Sequence, residues 1–123
     1  MAEPATIAIV DDDQEIREAL TTLVETVGLR AEGFPSAEEF LSSPQAQDAA
    51  CLLLDVRMPG MSGLELQRQL VAAHWRIPII FVTAYADDDV RVRALAADAV
   101  DVLSKPCREE DLLRAIQTAL TQA

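Results

Sequence analysis

Residues 7–13 read Ile7-Ala8-Ile9-Val10-Asp11-Asp12-Asp13, an apolar run that stops abruptly at carboxylates. A short apolar run ending in polar residues suits a strand buried on both faces. The design recurs as Leu52-Leu53-Leu54 before Asp55, Ile79-Ile80-Phe81-Val82 before Thr83, and Val102-Leu103-Ser104 before Lys105-Pro106. Lys105 is the only lysine, and nine arginines carry the remaining basic charge. In a parallel sheet the carboxyl ends of the strands share one edge, where open α/β folds bind ligands. Carboxylates, a hydroxyl and a single ammonium therefore converge there from four distant segments.

Between these runs the apolar spacing turns helical. Ile16, Leu20, Leu23, Val24 and Val27 mark one helix face, which Gly28 ends. Leu29–Phe34 is a weaker second strand, and Ser36-Ala37-Glu38-Glu39 reads as a capping box opening a short helix with Phe40 and Leu41. Residues 43–48 read as a polar loop. Pro59-Gly60-Met61-Ser62-Gly63 forms a turn before a helix through Leu64, Leu66, Leu70 and Val71. Asp87–Ala97 is a fourth helix, moderately amphipathic through Val90, Leu95 and Ala94, and residues 100–103 a fifth strand. Glu109, Glu110 and Asp111 suit the positive start of a last helix that buries Leu112, Leu113, Ile116 and Leu120. Alternating strands and helices predict an α/β fold of five βα units around a parallel sheet.

The 123 residues fit a single domain, 1–123, and half of them are apolar, enough for a real core. The net charge of −11 repels phosphate backbones, and no basic stripe offsets it. Direct binding of nucleic acid or of an anionic membrane is therefore not expected. No apolar run approaches the length of a membrane span, and the first six residues lack the character of a secretory signal. Neither Cys51 nor Cys107 sits in a CxxC pair; Cys51 reads as a small core residue and Cys107 follows Lys105-Pro106. A cytoplasmic, reduced protein is the default expectation.

Asp11, Asp12 and Asp55 meet if the first and third strands are neighbours. Three carboxylates in one pocket repel unless protonated or matched by cations. One Mg²⁺ and the Lys105 ammonium would cancel their charge, and Mg²⁺ accepts few carboxylates together with waters and phosphate oxygens. An aspartate can attack phosphorus to form an acyl phosphate, with metal, lysine and hydroxyl holding the equatorial oxygens. Each residue alone has a plainer reading. Asp11–Asp13 could cap the first helix, Asp55 could serve a turn, Thr83 could be a β-favouring residue and Lys105 a solvated charge. Jointly, chance would have to put each group at the end of a different apolar run.

These motifs resemble the receiver domain of two-component response regulators over essentially the whole chain, which implies a flavodoxin-like (βα)5 doubly wound five-stranded parallel sheet in the order 2-1-3-4-5. The resemblance rests on Ile9-Val10-Asp11-Asp12-Asp13, on Leu54-Asp55-Val56-Arg57-Met58-Pro59-Gly60-Met61-Ser62-Gly63, on Val82-Thr83-Ala84 and on Lys105-Pro106. Residues 34–41 and 55–67 look most like the FixJ/LuxR-type transcription regulators. The resemblance implies a phosphorylation-controlled signalling module, with self-catalysed phosphotransfer and autodephosphorylation but no enzymatic turnover of a substrate. Asp55 would take a phosphoryl group from a sensor histidine kinase. Asp12, Asp55 and the Arg57 carbonyl would ligate Mg²⁺, with Asp11 acting mainly through water, and Thr83 and Lys105 would each bond a phosphoryl oxygen. It also implies a cis Lys105–Pro106 peptide and a switching face on the fourth helix, fifth strand and fifth helix, through which phosphorylated members often dimerise. A DNA-binding output domain beyond residue 123 is the corresponding expectation.

The chain departs from the family pattern at Val102, usually Phe or Tyr, at Asp98, usually Gly, and at Cys107, often an aromatic. An aromatic rotamer switch at Val102 is thereby put in doubt, while the phosphorylation residues are all present. Tyr85, two residues beyond Thr83, could screen an acyl phosphate from water or could simply pack on the output face. His74 is expected to be solvated and Trp75 to pack as a satellite of the core. A haloacid-dehalogenase-type phosphatase also uses an aspartate nucleophile, but it expects a second acid where Arg57 stands, and a cap domain. A pseudo-receiver would lack Asp55, Lys105 or a metal carboxylate, and none is missing.

Overall fold

The computed structural model describes residues 4–122. Five strands, β1 (Thr6–Val10), β2 (Arg30–Phe34), β3 (Cys51–Leu54), β4 (Ile79–Thr83) and β5 (Asp101–Ser104), form one parallel sheet in the order β2-β1-β3-β4-β5. Helices α1 (Gln14–Thr26), α2 (Ala37–Ser42), α3 (Gly63–Ala72) and α4 (Asp88–Ala96) make the four crossovers, and α5 (Glu109–Thr121) follows the last strand. The expected flavodoxin-like topology is the one observed.

Successive strand residues face opposite sides of the sheet, so each apolar run feeds two cores. Ala8, Val10, Leu52, Leu54, Phe81 and Val102 pack with residues of α2, α3 and α4. Ile7, Ile9, Cys51, Leu53, Ile80 and Val82 pack with residues of α1 and α5. Burial on both faces explains why these strands are continuously apolar instead of alternating. Truncating any of the fully buried Ile9, Leu53 or Ile80 to alanine would cost about 2–5 kcal/mol. Trp75 stacks on Phe40 at 5.4 Å, and Phe40 meets Phe34 edge-on at 5.4 Å. Among the described residues no helix is long and apolar enough to cross a membrane.

Three helices end in the same way. The residue after the C-cap is left-handed, at Gly28 (φ 83°), His74 (φ 56°) and Asp98 (φ 69°). The next N–H then reaches back to close a Schellman motif: Leu29 to Val24 O (3.3 Å), Trp75 to Leu70 O (2.9 Å) and Ala99 to Ala94 O (3.0 Å). Asp98 thus takes the conformation for which glycine is the usual choice.

Several local expectations need correction. Val27, Val71 and Leu95 are 50%, 56% and 47% exposed. Val27 lies at the C-cap of α1, past the inward stripe. On α3 that stripe is Gly63, Leu66, Gln67 and Leu70, which leaves Val71 to solvent. On α4 it is only Val90 and Ala94. Residues 44–48, expected as loop, make a 3₁₀ turn that opens on Pro44 and buries Ala46. On α5, Ala115 and Ala119 are buried, whereas Leu113 and Leu120 are half-buried. At α2, Ser36 Oγ accepts from Glu39 N–H (3.1 Å), but the full reciprocal capping box lies at Ser62 and Glu65 on α3.

Candidate functional site

Register brings the carboxylates together. Val10 pairs with Leu54 across β1 and β3, so Asp11 and Asp55 leave the sheet side by side. Thr83 pairs with Ser104 across β4 and β5, which delivers Lys105 to the same edge. The crossover α1 then takes up the third acid of the run. Asp13 is its N-cap, its Oδ1 accepting from Glu15 N–H (2.9 Å) and Ile16 N–H (3.3 Å). The plain capping reading therefore holds for Asp13. Asp11 and Asp12 belong instead to a cluster with Asp55, in which one carboxylate oxygen of each lies within 4.8 Å of the others.

Lys105 bridges two of the three. Its Nζ donates to Asp11 Oδ2 at 2.7 Å and to Asp55 Oδ2 at 3.1 Å. The Asp11 and Asp55 side chains are 3% and 9% exposed and that of Lys105 17%, so the pairing is partly desolvated. The second oxygens are engaged by backbone. Asp11 Oδ1 accepts from Asp13 N–H (2.9 Å) and Asp55 Oδ1 from Val56 N–H (2.7 Å). Arg17 Nη1 donates to the Asp11 carbonyl at 2.7 Å and steadies the end of β1. Asp12 is exposed and completes the open side of the cluster. The Lys105–Pro106 peptide is cis.

Burial pushes the Asp11 carboxyl above its ordinary pKa, and the bonds from Lys105 and the Asp13 N–H offset this only in part. For Lys105 burial alone would lower the pKa, but its bonds and attraction to Asp11 and Asp55 together outweigh burial and hold it above the usual value. The ammonium therefore stays charged. Burial pushes the Cys51 thiol up to about 12 and raises that of Cys107, so neither is a thiolate nucleophile.

Thr83 is fully buried at the end of β4, where its Oγ1 accepts from Tyr85 N–H (3.1 Å) and its carbonyl accepts from Lys105 N–H (2.9 Å). Arg57 is exposed, and its guanidinium lies 3.9 Å from the centre of the Tyr85 ring. That contact joins the segment after Asp55 to the segment after Thr83. A second link was invisible in the sequence: Glu38 of α2 accepts from Met61 N–H at 3.0 Å, tying down the turn before α3. Neither link leaves a local signal, because the partners lie 28 and 23 residues apart.

What converges is an acidic cluster able to hold a divalent cation, a desolvated ammonium and a threonine hydroxyl at one sheet edge. These are the parts that phosphoryl transfer to a carboxylate needs. Residues 7–117 match the response regulator receiver domain. The response regulator protein TmoT of Ectopseudomonas mendocina is 49% identical over 98% of this chain and 55% of its own. The transcriptional regulatory protein FixJ of Azorhizobium caulinodans is 36% identical over 98% of this chain and 57% of its own. The solved structure of the response regulator StyR superposes with a TM-score of 0.88 at 45% identity, covering 98% of this chain and 61% of that one. The chain thus spans little more than half the length of these relatives. Fold, acidic edge and kinship agree: the chain belongs to the response regulator receiver domain family.

Proposed function

We propose that this receiver domain takes a phosphoryl group on Asp55 from a sensor histidine kinase and passes the event on through its α4–β5–α5 face. The carrying observation is the Lys105 ammonium set between Asp11 and Asp55 beside Asp12. Asp11, Asp12 and Asp55, with the Arg57 carbonyl, would hold Mg²⁺, and three carboxylates against one ammonium leave the excess negative charge such an ion matches. When bound, the ion supplies charge neutralisation on the phosphoryl oxygens.

This chain's own residues do the rest. An Asp55 carboxylate oxygen attacks phosphorus as the P–N bond to the kinase histidine breaks, and the imidazole leaves with the electron pair. Lys105 gives up its bond to Asp55 Oδ2 and pairs with a phosphoryl oxygen. The Thr83 hydroxyl donates to another, a use open to it because its present bond employs only an acceptor lone pair. Hydrolysis by water reverses the mark. The Tyr85 ring, held under Arg57 and 45% exposed, would shield the acyl phosphate from that water.

The setting we infer is cytoplasmic, with a DNA-binding output domain beyond residue 123, as the kinship with the transcriptional regulatory protein FixJ suggests. Exposed Val92 and Leu95 on α4 suit a phosphorylation-dependent homodimer. Intact mass after treatment with acetyl phosphate and Mg²⁺ tests the chemistry. A single phosphoryl adduct that requires Mg²⁺ and is absent from Asp55→Asn is expected. An adduct that persists in Asp55→Asn, or none in the wild type with either acetyl phosphate or a phosphohistidine donor, would refute the assignment.

A further inference from the structure

Helix α4 is thinly packed. It buries only Val90 and Ala94, while Val92 and Leu95 are 67% and 47% exposed. Polar contacts therefore carry an unusual share of its placement. The largest comes from α3, where Gln67 is 2% exposed and its Nε2 donates to two carbonyls of α4's final turn and cap, Ala94 O at 3.0 Å and Ala97 O at 3.2 Å. Both amide hydrogens are thus spent on the C-terminus of one helix, and no buried side-chain polar atom among the described residues lacks a partner.

Gln67 is also one helical turn from the phosphoacceptor strand. Gly63, four residues earlier, donates its N–H to Val56 O at 2.8 Å, and its Cα lies so close to the Asp55 carbonyl oxygen that a Cβ would collide with it. The start of α3 is seated directly on the backbone of Asp55, and the next turn grips the end of α4. The other end of α4 follows the Thr83–Tyr85 segment through its cap, Asp87.

We propose that Gln67 is a positioning residue that latches α4 in its resting place, so that phosphorylation works against this latch when it shifts α4. The proposal rests on the phosphoacceptor reading above and goes beyond it by naming what holds the unphosphorylated state. A latch that stabilises only the resting arrangement lowers the apparent affinity for anything that selects the other one. Removing two hydrogen bonds should therefore raise affinity for a phosphoryl mimic, by about tenfold.

Gln67→Met keeps the length and apolar stem and removes the donors. The test is beryllofluoride with Mg²⁺, titrated into wild type and variant, alongside amide hydrogen exchange of the free proteins. Tighter beryllofluoride binding, with faster exchange confined to α4 and unchanged in β1 and β3, is expected. Unchanged or weaker binding, or exchange that rises equally in the core strands, overturns the latch, because a merely structural glutamine would loosen the fold without improving affinity. If the wild type takes no beryllofluoride the phosphoacceptor reading fails, and exchange in α4 then decides the latch alone. Should Gln67→Met not fold, Gln67→Asn keeps an amide too short to reach both carbonyls and gives the same readouts.

Discussion

Replacing Lys105 by methionine keeps the side chain's length and deletes the only ammonium of the cluster. Asp11 and Asp55, 3% and 9% exposed at their side chains, would then face each other without the cation that now sits 2.7 and 3.1 Å away. Breaking a buried ion pair typically costs about 3–5 kcal/mol. Here Lys105 itself is 17% exposed and Asp12 is open to solvent, so screening trims the loss to roughly 2–3 kcal/mol. For a domain of this size that is a fall in Tm of roughly 10 °C. The assay is thermal and urea unfolding in EDTA at pH 7.5. The sign of the pH dependence follows from Asp11, whose folded pKa already lies above the unfolded one and would rise further without Lys105. Between those two values the folded state binds more protons, so the variant should gain stability as pH falls through the raised folded value toward the ordinary carboxylate range. Lys105 has a folded pKa above its ordinary 10.5, so its contribution in the wild type persists through neutral pH and is lost only as pH rises through that folded value. Mg²⁺ should bind the variant more tightly and restore much of the deficit. A variant that melts with the wild type in EDTA, or whose deficit ignores both pH and Mg²⁺, would refute this account of the cluster.

Three further outcomes are expected. Gly63→Ala would drive a Cβ into the Asp55 carbonyl oxygen and should cost about 1–3 kcal/mol in urea unfolding while slowing phosphorylation by acetyl phosphate. Asp98→Gly and His74→Gly, each relieving a left-handed residue in a Schellman motif, should raise stability by roughly 0.5–1 kcal/mol apiece, read as a higher urea midpoint. Tyr85→Ala forfeits a ring contact worth about 0.5–1 kcal/mol, so the acyl phosphate should hydrolyse about two- to fivefold faster; an unchanged rate rules out shielding.

The sheet and its acidic edge could be read from the chain because their signals are contiguous. Strands β1, β3 and β4 are apolar runs, and each yields a functional side chain where the run stops, as at Val10-Asp11, Leu54-Asp55 and Val82-Thr83. Parallel register does the rest, without any information about loops. The contacts that escaped join residues far apart through one side chain and another segment's backbone or ring. Gln67 is a polar residue that lies inside the buried stripe of α3, where the carbonyls of α4 satisfy it, and nothing in the apolar spacing marks it. Glu38 stands inside the Ser36–Glu39 capping-box motif without being its glutamate, and it reaches Met61 instead. Val71 and Leu95 count with the apolar residues of their helices by hydrophobicity alone, although helical rotation carries them past the buried face.

The stacking of Trp75 on Phe40 also gives this domain two optical reporters with separate jurisdictions. Trp75 is the only tryptophan and Tyr85 the only tyrosine, placed before and after β4 and so roughly 16 Å apart along the strand. Indole emission will follow the loss of the Phe40 stack when the fold comes apart. Phenol absorbance, beside Arg57 at the opposite rim, will follow events at the acidic edge. Unfolding and switching can thus be recorded in one cuvette, on unlabelled protein, as two independent spectra.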